Sequence, residues 1–168
     1  YEGKDYAGLG AAADSVLLMT YEWGHAYSPP MAVAPVDQVR RVVEYAVSRI
    51  DPAKINLGIP NYGYDWTLPF SEGAPRARTI GNIEAVQQAV EKGAEIYFDE
   101  TAQAPYYFYV EDGVTHEVWF EDVRSISSKF ALIEEFGLLG AGYWQLMRLF
   151  RANWILAAET FHIEGSSM

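Results

Sequence analysis

Several absences narrow what this protein can be. The sequence has no cysteine, which excludes disulfide bonds, thiolate metal sites and a cysteine nucleophile. Basic residues are few, because 12 Lys and Arg stand against 23 Asp and Glu and leave a formal net charge of -11 at pH 7. This acidity argues against nucleic acid and anionic membranes as partners. No apolar run approaches the ~20 residues that a membrane span needs.

The start of the sequence also lacks the features of a targeting segment. Its first residues, Tyr-Glu-Gly-Lys-Asp-Tyr, have no basic region followed by an apolar stretch and are not a signal peptide. They are typical of the interior of a longer protein, so we expect a part of the parent protein upstream. His25 is expected to be a loop residue, with a place in the cleft as the alternative. His116 and His162 lie at spacings from acidic residues that indicate no metal site, and we expect no cofactor.

Apolar and aromatic residues are plentiful. Of the 168 residues, 50% are hydrophobic and 15% are aromatic, enough for one domain with a substantial core. The apolar run at 16–19 predicts a buried strand. From Pro35 onward, apolar residues recur every three or four positions to Ile50, which predicts an amphipathic helix that Pro52 stops. A second strand is predicted at 55–59, and a strand–helix–strand unit of this length makes the two strands parallel.

The pattern changes after Trp66. Residues 67–78 are predicted to be a loop, and Asn82 is predicted to cap a helix over 83–92 that Gly93 ends. The following stretch favours strands at 95–98, 106–110 and 114–120, with Glu111-Asp112-Gly113 as a hairpin turn. A helix with an antiparallel hairpin does not continue a βαβ series, so this region is predicted to be an insertion.

The series resumes after the insertion. A helix is predicted from Val123 to Phe136, then a strand at 138–143 and a closing helix at 153–161. The chain is therefore predicted to have an α/β fold with three parallel strands and an α+β insertion. Its predicted divisions are residues 1–66 with two strands and their helix, 67–121 with the insertion, and 122–168 with the last helix, strand and closing helix.

The three predicted strands end in aromatic and polar residues. The endings read Met19-Thr20-Tyr21-Glu22-Trp23, Gly58-Ile59-Pro60-Asn61-Tyr62-Gly63-Tyr64-Asp65-Trp66 and Gly140-Ala141-Gly142-Tyr143-Trp144-Gln145-Leu146. A sugar ring has apolar C–H faces and a fringe of hydroxyl groups, so it binds to surfaces of this kind. No Gly-rich turn follows a strand, which argues against a nucleotide-binding domain.

These segments resemble the sixth, seventh and eighth strands of glycoside hydrolase family 18. Met19-Thr20-Tyr21-Glu22 is similar to the family's Met-x-Tyr-Asp pattern, with Glu22 in place of Asp, and Trp144 resembles the Trp that floors its sugar site. The segments Ala32-Val33-Ala34-Pro35, Val118-Trp119-Phe120-Glu121-Asp122 and Tyr143-Trp144-Gln145-Leu146-Met147 are similar to a branch from spore-forming bacteria. The resemblance implies the C-terminal part of a TIM (β/α)8 barrel, strands six to eight, with a chitinase-type insertion.

The resemblance also implies a chemistry and a place for it. Family members hydrolyse β-1,4 bonds of N-acetylglucosamine polymers with help from the substrate's own N-acetyl group. Tyr21 and Glu22 are the implied catalytic residues, while Met19, Trp144, Tyr62, Tyr64 and Trp66 are the implied substrate-binding residues. The branch acts on spore-cortex or cell-wall peptidoglycan, which implies an extracellular, cell-wall or spore-envelope location.

One catalytic part of the family is missing from this sequence. The general acid ends an Asp-x-x-Asp-x-Asp-x-Glu motif, which occurs nowhere in the 168 residues. We therefore expect this segment alone to be inactive, and to self-associate or to associate with the missing N-terminal half of the barrel. The alternative is a non-catalytic carbohydrate-binding or structural module.

Overall fold

The computed structural model describes residues 3–73 and 75–163. A short 3-10 turn at Pro52–Lys54 precedes β2. The helices and strands along the chain are α1 (Tyr6–Ala12), β1 (Val16–Leu18), α2 (Val36–Val47), β2 (Ile55–Pro60), β3 (Gly63–Thr67), β4 (Arg78–Ile80), α3 (Asn82–Lys92), β5 (Tyr97–Asp99), β6 (Ala104–Glu111), β7 (Val114–Trp119), α4 (Val123–Phe136), β8 (Gly140–Trp144) and α5 (Arg151–Thr160).

Three parallel strands form the first sheet. Their order is β1-β2-β8, so β2 lies in the centre. Leu18 pairs with Leu57, and Leu57 pairs with Ala141. This confirms the three predicted parallel strands, although β1 ends at Leu18 and β8 begins at Gly140. Both outer strands pair on one side only within the described residues.

Helices α2 and α4 bury one face each against the parallel sheet. Their inward residues join Leu57 and Ile59 of β2, both 0% exposed, in one apolar cluster. On the outside, Arg40 of α2 donates two hydrogen bonds of 2.6 and 2.7 Å to the carboxylate of Glu135 of α4. The two helices therefore cover the sheet as neighbours, as the 3.6-residue period predicts. The buried apolar residues are Val39, Val42, Val43 and Ala46 of α2 and Ile126, Phe130, Leu132 and Ile133 of α4.

Five antiparallel strands form the second sheet, in the order β4-β3-β7-β6-β5. The predicted hairpin at Asp112-Gly113 is confirmed, since Glu111 pairs with Val114 across it. Asp112 and Gly113 both have positive φ angles, 50° and 77°, as such a turn requires. The helix α3 packs on one face of this sheet through a cluster that includes Ile80, Ala85 and Tyr107.

Three sequence predictions in this region need correction. The second sheet begins at Gly63, so the predicted boundary between residues 66 and 67 falls inside β3. The strand β4 lies at the end of the predicted 67–78 loop and pairs with β3. Gly81, not Asn82, is the N-cap of α3. The Asn82 side chain instead bonds to a distant part of the chain, because its oxygen accepts from the Glu121 backbone N–H at 3.0 Å.

Buried polar side chains join the two sheets. The Asn61 carbonyl oxygen accepts from the Asn82 amide at 3.3 Å, and the Asn61 amide donates to the Arg148 carbonyl at 2.6 Å. Next to them, Lys129 of α4 donates to Glu121 at 2.9 Å, with both side chains fully buried. Burial raises the pKa of Glu121 above the ordinary carboxyl value, although Lys129 opposes the shift. The sheets are thus connected through hydrogen bonds that water does not reach.

The closing helix and the first helix complete the structure. The predicted helix at 153–161 is observed as α5, and its Asn153 accepts from the Tyr143 hydroxyl at 3.1 Å. The sequence pattern missed α1, which has only 7 residues and is capped by the Asp5 carboxylate. Within the described ranges, the helices lack the combination of length and apolar character that a bilayer crossing demands.

Candidate functional site

The carboxyl ends of the three parallel strands meet at one edge of the first sheet. β2 ends at Pro60, which pairs with Trp144 at the end of β8, and β1 lies on the other side of β2. The residues that follow these ends are therefore close in space although far apart in sequence. Ligands of α/β folds bind at this edge, where loops rather than regular backbone surround the site.

Glu22 is held by two tyrosines, Tyr62 between β2 and β3 and Tyr64 in β3. Its Oε1 accepts a hydrogen bond of 3.0 Å from the Tyr64 hydroxyl and a very short one from the Tyr62 hydroxyl. The φ angle of Glu22 is 69°, in the left-handed region that few residues other than glycine adopt. The two phenols therefore orient a carboxylate that the local backbone alone does not favour in this position.

Both tyrosines keep their protons over a wide pH range. Burial is the main cause, and the Glu22 carboxylate adds to it, because a phenolate beside a carboxylate is unfavourable. Together they raise the pKa of Tyr64 to about 12 and raise the pKa of Tyr62 further. The two hydroxyl groups thus remain hydrogen-bond donors.

Tyr21 lies beside Glu22 and against β2. A side chain at Gly58 would place its Cβ 2.9 Å from Cε1 of the Tyr21 ring, so the glycine makes room for this ring. Thr20 anchors the segment, since its buried hydroxyl donates to the Gly58 carbonyl at 2.9 Å. Burial, with a smaller contribution from Glu22, raises the pKa of Tyr21. The ring is half-buried and its hydroxyl is a proton donor at neutral pH.

Trp144 presents an open indole ring on a fixed backbone. Its side chain is 55% exposed, and its carbonyl accepts from the Asn61 N–H at 2.8 Å. The peptide bond between Trp144 and Gln145 is cis. Met19 at the end of β1 is also exposed, at 70%. These two side chains offer apolar surface at the same edge as the Glu22 carboxylate.

The predicted rim of Tyr62, Tyr64 and Trp66 differs from what the structure contains. Trp66 is 2% exposed, and its Nε1 donates to the Ser28 carbonyl at 2.8 Å. It is a core residue and not a rim residue, which corrects the prediction. The rings of Tyr62 and Tyr64 are also buried, at 4% and 7% exposure, and only their hydroxyl groups reach Glu22. Alternation along β3 explains this, because Tyr64 and Trp66 point to the face that the 21–34 loop covers.

A second polar cluster, which the sequence analysis missed, surrounds Asp65 on the other face of β3. The Asp65 carboxylate accepts from Tyr109 at 2.8 Å and contacts His116 Nδ1 at 2.9 Å and Arg78 at 3.3 Å. It borders a cleft of about 320 Å³ that also contains Gln88. The signal was present in the sequence, because an acid between two buried aromatics on a strand must face the opposite side. Both oxygens of the Asp65 carboxylate have polar partners, so the residue links β3 to β4 and β6.

The geometry at the first sheet allows a defined chemistry. A carboxylate and a protonated phenol follow β1, and an open indole ends β8 at the same edge of the sheet. This combination suits a ring with an apolar face and a polar substituent. Both phenolic hydrogen bonds to Glu22 go to its Oε1 and not to its Oε2.

Comparisons with known proteins agree with one another. The family model for "Glycosyl hydrolases family 18" matches residues 1–148. The chain is 46% identical over 164 residues to the cortical fragment-lytic enzyme of Bacillus subtilis (strain 168), which covers 97% of the chain and 38% of that enzyme. It is 32% identical over 181 residues to di-N-acetylchitobiase of Rattus norvegicus, over 92% of the chain and 48% of that protein.

Solved structures give the same relationship. The spore cortex-lytic enzyme SleL of Bacillus cereus superposes with a TM-score of 0.94 at 44% identity, over 97% of this chain and 39% of that one. A chitinase from Chromobacterium violaceum ATCC 12472 gives a TM-score of 0.85 at 31% identity, over 94% of this chain and 49% of that one. The chain thus spans less than half the length of each of these four relatives.

Proposed function

Because the chain belongs to family 18 of the glycosyl hydrolases, we propose that it is the C-terminal part of a glycosidase that cleaves β-1,4-linked N-acetylglucosamine polymers. The observation that carries the proposal is the meeting of Tyr21, Glu22 and Trp144 at one edge of the parallel sheet. Residues from all three strand ends contribute to this edge, and two further tyrosines orient the carboxylate. Because the chain belongs to this family, we assign glycoside hydrolysis to that edge.

The proposed parent fold is a TIM barrel. In it, β1, β2 and β8 are the sixth, seventh and eighth strands, and the antiparallel sheet with α3 is the insertion between the last two. Two features support this assignment. The parallel strands follow each other in chain order, and β1 and β8 both have an unpaired edge among the described residues, as a segment cut from a closed barrel would have.

The proposed reaction is retaining hydrolysis in which the substrate assists. The acetamido oxygen of the sugar attacks the anomeric carbon, and the bond to the leaving oxygen breaks as a general acid protonates that oxygen. The deprotonated acid then takes a proton from water, which attacks the same carbon and breaks its bond to the acetamido oxygen, so that the acetamido group is restored. Tyr21 donates a hydrogen bond to the acetamido oxygen, Glu22 accepts from the acetamido N–H, and Trp144 supports the ring face. The general acid belongs to a part of the parent outside these 168 residues.

The proposed substrate is the peptidoglycan of a spore cortex or cell wall. Support comes from relatives whose names refer to spore cortex lysis at 46% and 44% identity. Relatives with chitin-related names match at lower identity, 32% and 31%, so chitin is the second choice. A spore envelope or cell wall would be the place of action.

The proposal is tested by comparing the parent protein with this chain alone. We expect the parent to hydrolyse a chromogenic N-acetylglucosamine oligomer and the purified 168-residue chain to give no turnover, since the acid is missing from it. Robust turnover by the chain alone that Glu22→Gln abolishes would contradict the proposal, because it would make Glu22 the acid.

A non-catalytic carbohydrate-binding module is the second candidate. It is favoured by the absence of the Asp-x-x-Asp-x-Asp-x-Glu motif from the sequence. A parent that binds the oligomer and never cleaves it, at any pH where it is folded, would establish this candidate instead.

A further inference from the structure

The segment that follows Trp144 has little apolar packing of its own. Residues 145–150 connect β8 to α5, and three of their side chains, those of Leu146, Met147 and Leu149, are 63%, 85% and 80% exposed. Apolar side chains that stay in water contribute no burial energy to hold a backbone in place. Other contacts must therefore fix this segment, and with it the direction in which the Trp144 side chain leaves the end of β8.

Asn61 supplies such contacts from the end of β2. The regular pairing of β2 with β8 stops at Pro60 and Trp144. Beyond that point, the Asn61 backbone N–H donates to the Trp144 carbonyl at 2.8 Å. The Asn61 side-chain Nδ2 donates to the Arg148 carbonyl at 2.6 Å and to the Gln145 carbonyl at 3.4 Å. A side chain thus continues the attachment of the two strands where their backbone pairing ends.

The Asn61 amide is itself held in one orientation. Its side chain is completely buried, and its Oδ1 accepts from the Asn82 amide at 3.3 Å. Asn82 is fixed in turn, because its oxygen accepts from the Glu121 backbone N–H at 3.0 Å. A flipped Asn61 amide would place its oxygen against two carbonyls and its NH₂ against another NH₂. The Asn61 nitrogen therefore faces the segment after Trp144 and cannot exchange places with the oxygen.

We propose that Asn61 is a positioning residue for Trp144. By fixing the carbonyls of Gln145 and Arg148, it sets the backbone from which the indole extends and so the direction of the indole. This inference rests on the proposed function, because that function assigns the support of the sugar ring to Trp144. Asn61 is completely buried, so it acts on the sugar only through the tryptophan.

The first test measures kcat/KM of the parent protein on the chromogenic oligomer. Asn61→Ala keeps the backbone bond to Trp144 and removes both side-chain donations. It should lower kcat/KM by about tenfold, since small misplacements of a positioned group cost up to about 100-fold. The same change made in Trp144→Ala should have little further effect, because no indole is left to position.

Asn153→Ala is the matched control. Asn153 is as completely buried as Asn61, and its side-chain oxygen accepts from the Tyr143 hydroxyl. The variant also loses a buried amide, so it should lose thermal stability. It should keep the kcat/KM of the parent, because Asn153 does not bond to residues 144–148.

The second test observes the indole directly and needs no turnover. The parent is labelled with 5-fluorotryptophan, and the ¹⁹F signal of Trp144 is the one that Trp144→Phe removes. Asn61→Ala should shift or broaden this signal while the other tryptophan signals stay in place, and Asn153→Ala should leave it unchanged. If Asn61→Ala does not fold, Asn82→Ala takes its place. It removes the donor that orients the Asn61 amide and should broaden the same signal.

The outcomes separate this inference from the proposed function. An unchanged Trp144 signal in the folded Asn61→Ala protein, or in Asn82→Ala where that variant replaces it, would overturn the inference. Equal losses of kcat/KM from Asn61→Ala with and without the Trp144 indole would also overturn it, because Asn61 would then act independently of the tryptophan. A parent that never cleaves the oligomer would overturn the proposed function, whereas the ¹⁹F signal would still decide whether Asn61 fixes the indole.

Discussion

At the residue scale, the tyrosines around Glu22 have different roles: two of them orient its carboxylate, and a third is the donor in the proposed mechanism. The carboxylate takes two phenolic hydrogen bonds, and these fix its direction. Tyr21 alone among the three tyrosines has a half-buried ring directly after β1. In the proposed mechanism it is the donor that stabilises the charge developing on the acetamido oxygen.

Tyr21→Phe in the parent is expected to lower kcat by about 100-fold, which is the scale of losing one oxyanion-type donor. The ring remains, so packing over Gly58 and thermal stability should be unchanged. Steady-state kinetics with the chromogenic oligomer measure the effect. Tyr27→Phe, at a tyrosine that is 69% exposed, is the control and should keep full activity. Equal rates for Tyr21→Phe and the parent would remove Tyr21 from the mechanism.

Tyr64 should make the structure sensitive to alkaline pH. Its pKa is raised from 10.0 to about 12 in the folded state. Its stabilising contribution is complete below the unfolded value near 10 and is lost as pH rises through 12, because the unfolded chain gives up the proton first. Unfolding temperatures of the parent should therefore fall over this range. The unfolding temperature of the Tyr64→Phe variant should fall less steeply with pH than that of Tyr27→Phe. Equal pH dependence in the two variants would contradict the role of Tyr64.

At the element scale, α4 and the end of the second sheet depend on one buried ion pair. Lys129→Met leaves Glu121 buried without its cation, and breaking such a pair from one side destabilises a protein by about 3–5 kcal/mol. The double variant Lys129→Met with Glu121→Leu should be less destabilised than the single variant. Urea unfolding of the parent and both variants measures this difference, and a double variant that is worse than the single one would show that the pair stabilises beyond its own desolvation.

The elements also show what sequence patterns reveal. Apolar residues at helical spacing predicted α2 and α4, short apolar runs predicted the parallel strands, and Asp112-Gly113 between two alternating runs predicted the hairpin. The same reasoning missed β3, since the aromatic residues at 62, 64 and 66 were assigned to a binding surface although their alternation is typical of a strand. It missed β4 because three residues give too short a period to detect. The partners of Glu22 depend on how the loop after β1 meets β3, which no local pattern contains.

At the scale of the whole molecule, the first sheet leaves apolar surface uncovered. Leu17 and Met19 of the β1 region are 48% and 70% exposed, and they border a groove of about 410 Å³ against α1. The outer side of β1 has no strand partner within the described residues. Exposed strand edges and apolar patches of this kind promote association.

The isolated 168-residue chain is therefore expected to self-associate. Light scattering at rising concentration should give an average mass above one chain. Met19→Lys should shift the equilibrium toward the monomer, because it places a charge on the open edge. Val90→Lys changes a similarly exposed residue on α3 and should not shift it. A chain that remains monomeric at high concentration would contradict this expectation.

The bonds between the two sheets bear on how such an insertion is gained or lost in evolution. Asn61 is completely buried, and its oxygen takes its hydrogen bond from Asn82 inside the insertion. Lys129 lies outside the insertion, yet its carboxylate partner, Glu121, lies within it. A genetic deletion of residues 63–121 would leave the Asn61 side-chain oxygen without its donor and Lys129 without its carboxylate in the interior, at a cost of several kcal/mol. The insertion is not a detachable module, and a lineage that lost it would have to replace Asn61 and Lys129 as well.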